Sequence, residues 1–217
     1  MSSPDNPNLY YPYGEFPSKE SRVLQIFQEA NTTQYGHFLY ASGRHGREYI
    51  EKSEFLRYPR YARELAETIA EDFKGINIDT VIGPAMGAIT LAFITAECLD
   101  LDGNIVGVYA EKNPVNGNLF LPKKFYKNVA GKAVLVIEDV INSSKSVGQV
   151  CELVEANGGI LVGVGSVCNR GDKHDVNGIP IFALYNRPME SFHPEECPLC
   201  NQGIPIDQDV GRGAIND

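Results

Sequence analysis

Two periods of apolar residues take turns along the chain. TVIGP, IVGVY, AVLVI, ILVGVGSV and IFALY are short blocks, apolar on consecutive positions as strands buried on both faces are. Between them lie AITLAFITAECLD and SVGQVCELVEANGG, which read as helices, the second closed by Gly158 and Gly159. Strands alternating with helices predict an α/β fold with a mostly parallel sheet. Upstream, SKESRVLQIFQEAN predicts a first helix, with Ser18 as its cap and Val23, Ile26 and Phe27 on one face. PRYARELAETIAEDFKG predicts another, opened by Pro59, carrying Leu65, Ile69 and Phe73 on one face, and stopped by Gly75. HFLYASGRHGREYIEKSEF between these two reads as two short strands around a Ser-Gly-Arg turn. GNLFLPKKFY reads as an exposed hairpin or flexible loop. The first stretch, 1–19, is rich in Pro and Tyr without a period and predicts an extended arm. Residues 20–217 are expected to form a single domain with a tail from about residue 186.

Composition narrows the classes of function. The chain has 217 residues and a net charge of -9, with 43% hydrophobic and 22% charged residues. That length can bury a core without disulfides. The acidic balance disfavours nucleic acid as a partner but leaves room for a local basic pocket. No apolar run of about 18 residues suggests a membrane span, and the N-terminus lacks a signal-peptide layout. The expectation is a cytoplasmic protein. The five cysteines form no even framework. Cys98, Cys151 and Cys168 are expected to be buried small hydrophobes in a reducing compartment.

Ligand sites in such sheets lie beyond the carboxyl ends of the strands. Four polar clusters fall there: residues 83–87, 110–112, 138–146, and Asn169 with Arg170. In VLVIEDVINSSKSV the strand is expected to end in Glu138 and Asp139. The loop Asn142, Ser143, Ser144, Lys145, Ser146 then delivers the chain to a helix. Helix amides, hydroxyls and a lysine suit a phosphate. Two carboxylates there would repel a phosphate, and make sense facing sugar hydroxyls or a hard cation such as Mg²⁺. An ordinary turn with a capping serine and solvated acids is the alternative. GPAMGA, with Ala85, Met86 and Gly87, would let the backbone approach a ligand, or serve as a plain strand-to-helix turn. Lys112, Lys123 and Lys124 bracket a stretch holding Pro114, Gly117 and Pro122, as a basic lid over an anionic leaving group would, or a solvated hairpin.

Taken in order, VLVIEDVINSSKSV resembles the phosphoribosyl pyrophosphate (PRPP) motif of type I phosphoribosyltransferases. Within that group YASGRHGREYIEKSEFL, VIGPAMGAITLA and YAEK look like orotate phosphoribosyltransferase. The tail MESFHPEECPLCNQGIPID resembles the C-terminal extension of one bacterial branch. The resemblance implies the type I phosphoribosyltransferase fold, with a small N-terminal hood, a mobile β-hairpin lid and a homodimer. It implies a step of pyrimidine biosynthesis in which orotate and PRPP give orotidine 5′-monophosphate and pyrophosphate, with Mg²⁺. By residue, Glu138 and Asp139 would hold the ribose hydroxyls and the metal's water shell, and residues 142–147 would cradle the 5′-phosphate. Ala85, Met86 and Gly87 would line the pyrophosphate side, with Lys112 on PRPP and Lys123 or Lys124 as lid cation. Tyr49 and Ile50 would flank the orotate ring, and Arg170 would pair with its carboxylate.

The chain departs from that family in places. The usual Thr-Thr-Gly-Gly-Ser loop has lost both glycines, Ala41 stands where better-known members have a lysine, and Val115 and Gly117 replace a loop lysine and histidine. A PRPP-sensing relative without turnover, or a transferase for another base, are the competing readings. Cys197 and Cys200, with His193 four residues before, are at best half a zinc site that a second pair or a symmetry mate's pair would have to complete, the alternative being a plain structural or redox-idle pair. His37, His45 and His174 are expected at the surface or in turns.

Overall fold

A computed structural model of the chain describes residues 18–40, 42–142 and 144–210. It also describes the backbone of two short strands, β1 (Ser2–Ser3) and β2 (Asn6–Tyr10), which pair antiparallel. The expected N-terminal arm thus lies largely outside the described residues. Helix α1 (Lys19–Glu29) starts where Ser18 Oγ accepts the Ser21 amide at 3.1 Å, and it buries Val23, Ile26 and Phe27. A separate antiparallel hairpin follows, β3 (Thr33–Leu39) with β4 (His45–Ile50). The second expected strand stops short of its predicted end. The Glu51 carboxylate accepts the Ser53 amide at 3.1 Å, and the chain coils into α2 (Lys52–Leu56), burying Phe55 completely. Helix α3 (Pro59–Asp72) begins on its proline, and Gly75 follows it at φ +82°, in the left-handed region.

Five parallel strands form the main sheet: β5 (Thr80–Pro84), β6 (Val106–Lys112), β8 (Ala133–Ile141), β9 (Ile160–Asn169) and β11 (Ile179–Asn186). Two-residue strands β7 (Leu119–Phe120) and β10 (Asp175–Val176) close the edges antiparallel, giving the order β10-β11-β9-β8-β5-β6-β7. Alternate residues of β8 go to opposite faces. Leu135 and Ile137 pack with α1, α3 and α4 (Gly87–Leu99). Val134 and Val136 pack with α6 (Lys145–Ala156) and α5 (Tyr126–Val129). The tail carries a last short helix, α7 (Pro198–Asn201). No helix among the described residues is long and apolar enough to cross a membrane.

The order of the strands fixes where a ligand can sit. From β5 the chain moves to β6 on one side and then returns to β8 on the other. This reversal opens a crevice at the carboxyl ends of β5 and β8. Pairing of the two strands stops at Ile82 with Val136, while β8 runs on against β9 as far as Ile141 with Asn169. Glu138 and Asp139 therefore lie inside the strand, not at its end as the apolar run suggested, on a stretch that has lost one neighbour.

The cysteine and histidine expectations divide. Cys151 and Cys168 are buried, and burial pushes their thiols up to about 11 and about 12, whereas Cys98 is only half-buried. His174 is exposed, as expected. His37 and His45, expected outside, are 2% and 6% exposed on the β3–β4 hairpin, because the tail packs over them.

Candidate active site

A cavity of about 520 Å³ opens at the crevice, within the range of small-molecule sites. Its walls bring together Ala85, Lys112, Glu138, Asn142, Ser144, Lys145 and Ser146. These come from the ends of β5, β6 and β8 and from the start of α6, as the strand-end clusters implied. Ser143 lies outside the described residues, as does Ala41.

The start of α6 offers an anion its amides. Residues 145–147 precede the first intrahelical bond, from the Gly148 N–H to the Ser144 carbonyl at 2.8 Å, and the Ser144 side chain does not cap them. Lys145 adds a cation beside them. Ser144 reaches this position at φ +57°, a left-handed conformation that costs an L-residue about 1–2 kcal/mol. The strain falls where the sequence has no glycine, and it falls on Ser144, since Lys145 is already helical.

The two adjacent acids face opposite ways, as period-two alternation requires. Glu138 looks into the cavity from the α6 side. Its Oε1 accepts the Asp139 amide at 3.1 Å. Burial first, then the neighbouring Asp139, push its carboxyl well above the ordinary carboxylate range, against the pull of Lys52. Asp139 is 0% exposed and turns toward the other face. There its oxygens meet Lys52 Nζ at 3.0 and 3.2 Å. Gly87 makes that approach feasible, since a Cβ at this position would collide with Asp139 Oδ2. Burial works to lower the Lys52 pKa, but the Asp139 charge and hydrogen bond outweigh it and raise the value.

Lys52 is the residue that reading the sequence missed. It stands two positions after Ile50, in a stretch already singled out, yet no spacing connects it to a carboxylate 87 residues away. Only the β4-to-α2 turn brings it there.

The remaining predicted residues lie outside the cavity's walls. Met86 is 84% exposed, beyond a cis peptide with Ala85. Tyr49 packs against Phe38 with ring centroids 5.7 Å apart, and burial leads the causes that raise its pKa. The Ile50 side chain is taken by the core, which leaves its backbone for any ligand. Arg170 is buried with its guanidinium 5.2 Å from the Tyr40 ring centroid, and its Nε has no hydrogen-bond partner among the described residues. Lys112, at the end of β6, lines the cavity, whereas Lys124, in a 3-10 turn (Lys123–Phe125) that follows β7, lies over Tyr109 and Phe125 and donates to the Tyr109 hydroxyl at 3.1 Å. Neither Lys123 nor Lys124 lines the cavity of its own chain.

Comparison with known proteins adds a family. Residues 53–192 match the phosphoribosyl transferase domain model. An orotate phosphoribosyltransferase of Caldicellulosiruptor bescii is 40% identical over 184 residues, 84% of this chain and 93% of that protein. One from Caldanaerobacter subterraneus is 35% identical over 188 residues, 87% of this chain and 95% of that protein. In fold, the crystal structure of Mycobacterium tuberculosis orotate phosphoribosyltransferase in complex with PRPP is similar at TM-score 0.59. It is 19% identical and covers 76% of this chain and 95% of that one.

Two measurements test the geometry. The folded chain keeps a proton on Glu138 that the unfolded chain releases near pH ~4.3. Stability is therefore lost as pH rises from there toward the raised value. Glu138→Gln, neutral throughout, escapes this loss, so urea denaturation at about pH 5 and about pH 8 should show its advantage over the wild type widening with pH. A constant gap contradicts the assignment. Ser144→Gly relieves the left-handed strain at the cost of extra chain entropy, and should stabilise the fold by about 0.5 kcal/mol in the same assay. A loss of stability would show that Ser144 is not strained there.

Proposed function

The chain belongs to the phosphoribosyl transferase domain family and, within it, to the orotate phosphoribosyltransferases. From that premise we propose that it transfers 5-phosphoribosyl from PRPP to orotate, giving orotidine 5′-monophosphate and pyrophosphate. The observation that carries the reading is the meeting of uncapped helix amides, a buried carboxyl and Lys112 in one cavity. A phosphate, a sugar and a diphosphate need those three environments.

In this reading the 5′-phosphate rests on residues 142–147, held by the α6 amides and Lys145. Glu138 takes the ribose hydroxyls. The C1–oxygen bond to pyrophosphate breaks with its electron pair going to the leaving group, and a ring nitrogen of orotate forms the new bond to C1 as its N–H proton passes to the pyrophosphate. Lys112, with Ala85, Met86 and Gly87, faces the departing diphosphate and offsets its charge. Tyr49, the Ile50 backbone and Arg170 receive orotate, the unpaired Arg170 Nε being suited to its carboxylate. Asp139 acts at one remove, holding Lys52 beside Glu138 and Tyr49.

Mg²⁺ fits this donor set as a companion of the substrate. Among the described residues Glu138 is the one acid on the cavity wall, Asp139 being occupied by Lys52, which suits a hard cation bound mainly by substrate oxygens and water. When bound, it would supply charge neutralisation on the diphosphate. Lys123 and Lys124, outside the walls of their own cavity, fit a lid that covers the partner's site in a homodimer. Five cysteines without a disulfide among them suit a cytoplasmic setting.

Strain at Ser144 favours a second reading, a PRPP-binding relative without turnover. Mixing the protein with orotate, PRPP and Mg²⁺ should consume orotate, followed by ultraviolet absorbance. Lys112→Ala should lower kcat/KM by about 10²-fold. No consumption with PRPP binding retained in calorimetry selects the second reading, and no binding at all removes both. Replacing Lys123 and Lys124 together with alanine should cut kcat by about 10²-fold. Unchanged turnover removes them from the lid.

A further inference from the structure

Away from the cavity, four metal-ligating side chains converge where the tail crosses the β3–β4 hairpin. The ligand atoms of His37, His45, Cys197 and Cys200 all lie within 4.8 Å of one another. His37 sits in the register shift of β3 between Tyr35 and Phe38, beside the Phe38–Gly46 pair, and His45 starts β4. Cys197 and Cys200 flank the first turn of α7, where a spacing of three sets both sulfurs on one side. The partners of the Cys-Pro-Leu-Cys pair are thus hairpin histidines more than 150 residues earlier, rather than His193 or a second cysteine pair.

We propose that His37, His45, Cys197 and Cys200 form a structural zinc site that clips the tail to the hairpin. Three of four edges match the cation, and the fourth, between the two histidines, is shorter. His37 Nε2 stands 3.0 Å from His45 Nδ1, 3.5 Å from Cys197 Sγ and 3.7 Å from Cys200 Sγ, and Cys200 Sγ is 3.3 Å from His45 Nδ1. A tetrahedron with Zn–N of about 2.0–2.1 Å and Zn–S of about 2.3 Å has edges of roughly 3.3–3.8 Å. Supporting groups hold the first ligand in place. His37 Nδ1 lies 2.7 Å from the Ile204 carbonyl, which fixes its proton there and leaves the Nε2 lone pair for a metal, the usual arrangement behind a zinc-bound histidine. Three ligands are buried and Cys200 is exposed, so ions can enter from its side. Four protein ligands leave no open position, which makes the role structural rather than catalytic.

The clip would tie together contacts already made there. Asp207 donates its amide to the His37 carbonyl at 2.7 Å, His45 and Phe192 exchange backbone hydrogen bonds, and Arg44 Nε donates to Ser191 Oγ at 2.8 Å. The same hairpin carries Tyr49.

Elemental analysis of protein purified without a histidine tag should find about one zinc per chain, and Cys200→Ser should lose most of it. Exchange into Co²⁺ should give the thiolate charge-transfer band and intense visible bands of tetrahedral cobalt. Chelation should speed hydrogen exchange at the Asp207 amide while the parallel sheet stays protected. A folded, fully reduced chain that binds neither ion overturns the site, as does a cobalt spectrum unchanged in Cys200→Ser. A Cys197–Cys200 disulfide that re-forms after reduction and exposure to Zn²⁺ overturns it too.

Discussion

A carboxylate with no exposure to water needs a cation within reach, and Asp139 finds it in Lys52. Much of the site follows from this pair. Lys52 begins α2, directly after the hairpin, so the ion pair ties the small antiparallel unit to the centre of the parallel sheet. Gly87 has to lack a side chain because Asp139 passes over it. That constraint fixes how β5 hands the chain to α4. Breaking a fully buried pair costs about 3–5 kcal/mol. Here the cost is smaller, because half the lysine side chain remains in water.

Glu138, one residue earlier, has the opposite fate. It faces the cavity, and burial favours its neutral form against the pull of Lys52. A group in that state is ready to accept a ligand's hydroxyls or to lose its proton beside a cation. The pair of acids thus divides into a member that builds the site and a member that meets the ligand. Strand alternation is the whole cause: one residue of offset reverses the face.

Much of this was legible in the sequence. The consecutive apolar blocks gave the parallel strands, and the rule about strand ends picked out Ala85, Lys112, Glu138, Asn142, Ser144, Lys145 and Ser146, which meet at the cavity. Ser18 capped the first helix and Gly75 followed the third, as read. Local signals failed in two places. The alternation through YIEKSEF suggested a strand, but capping by Glu51 and burial of Phe55 turned its end into a helix. The run into Glu138 and Asp139 suggested a strand end, because the sequence does not report that β8 keeps pairing with β9 after β5 has left.

What the chain determined by itself was its periodicity, its turn chemistry and the residue types at the strand ends, since each depends on neighbours a few positions away. Tertiary structure decided the pairings across long separations. Lys52 with Asp139, Arg170 with Tyr40, and two hairpin histidines with two tail cysteines are invisible to spacing. Each joins side chains that become neighbours only when the hairpin, the sheet and the tail pack together, and no local pattern encodes that closure.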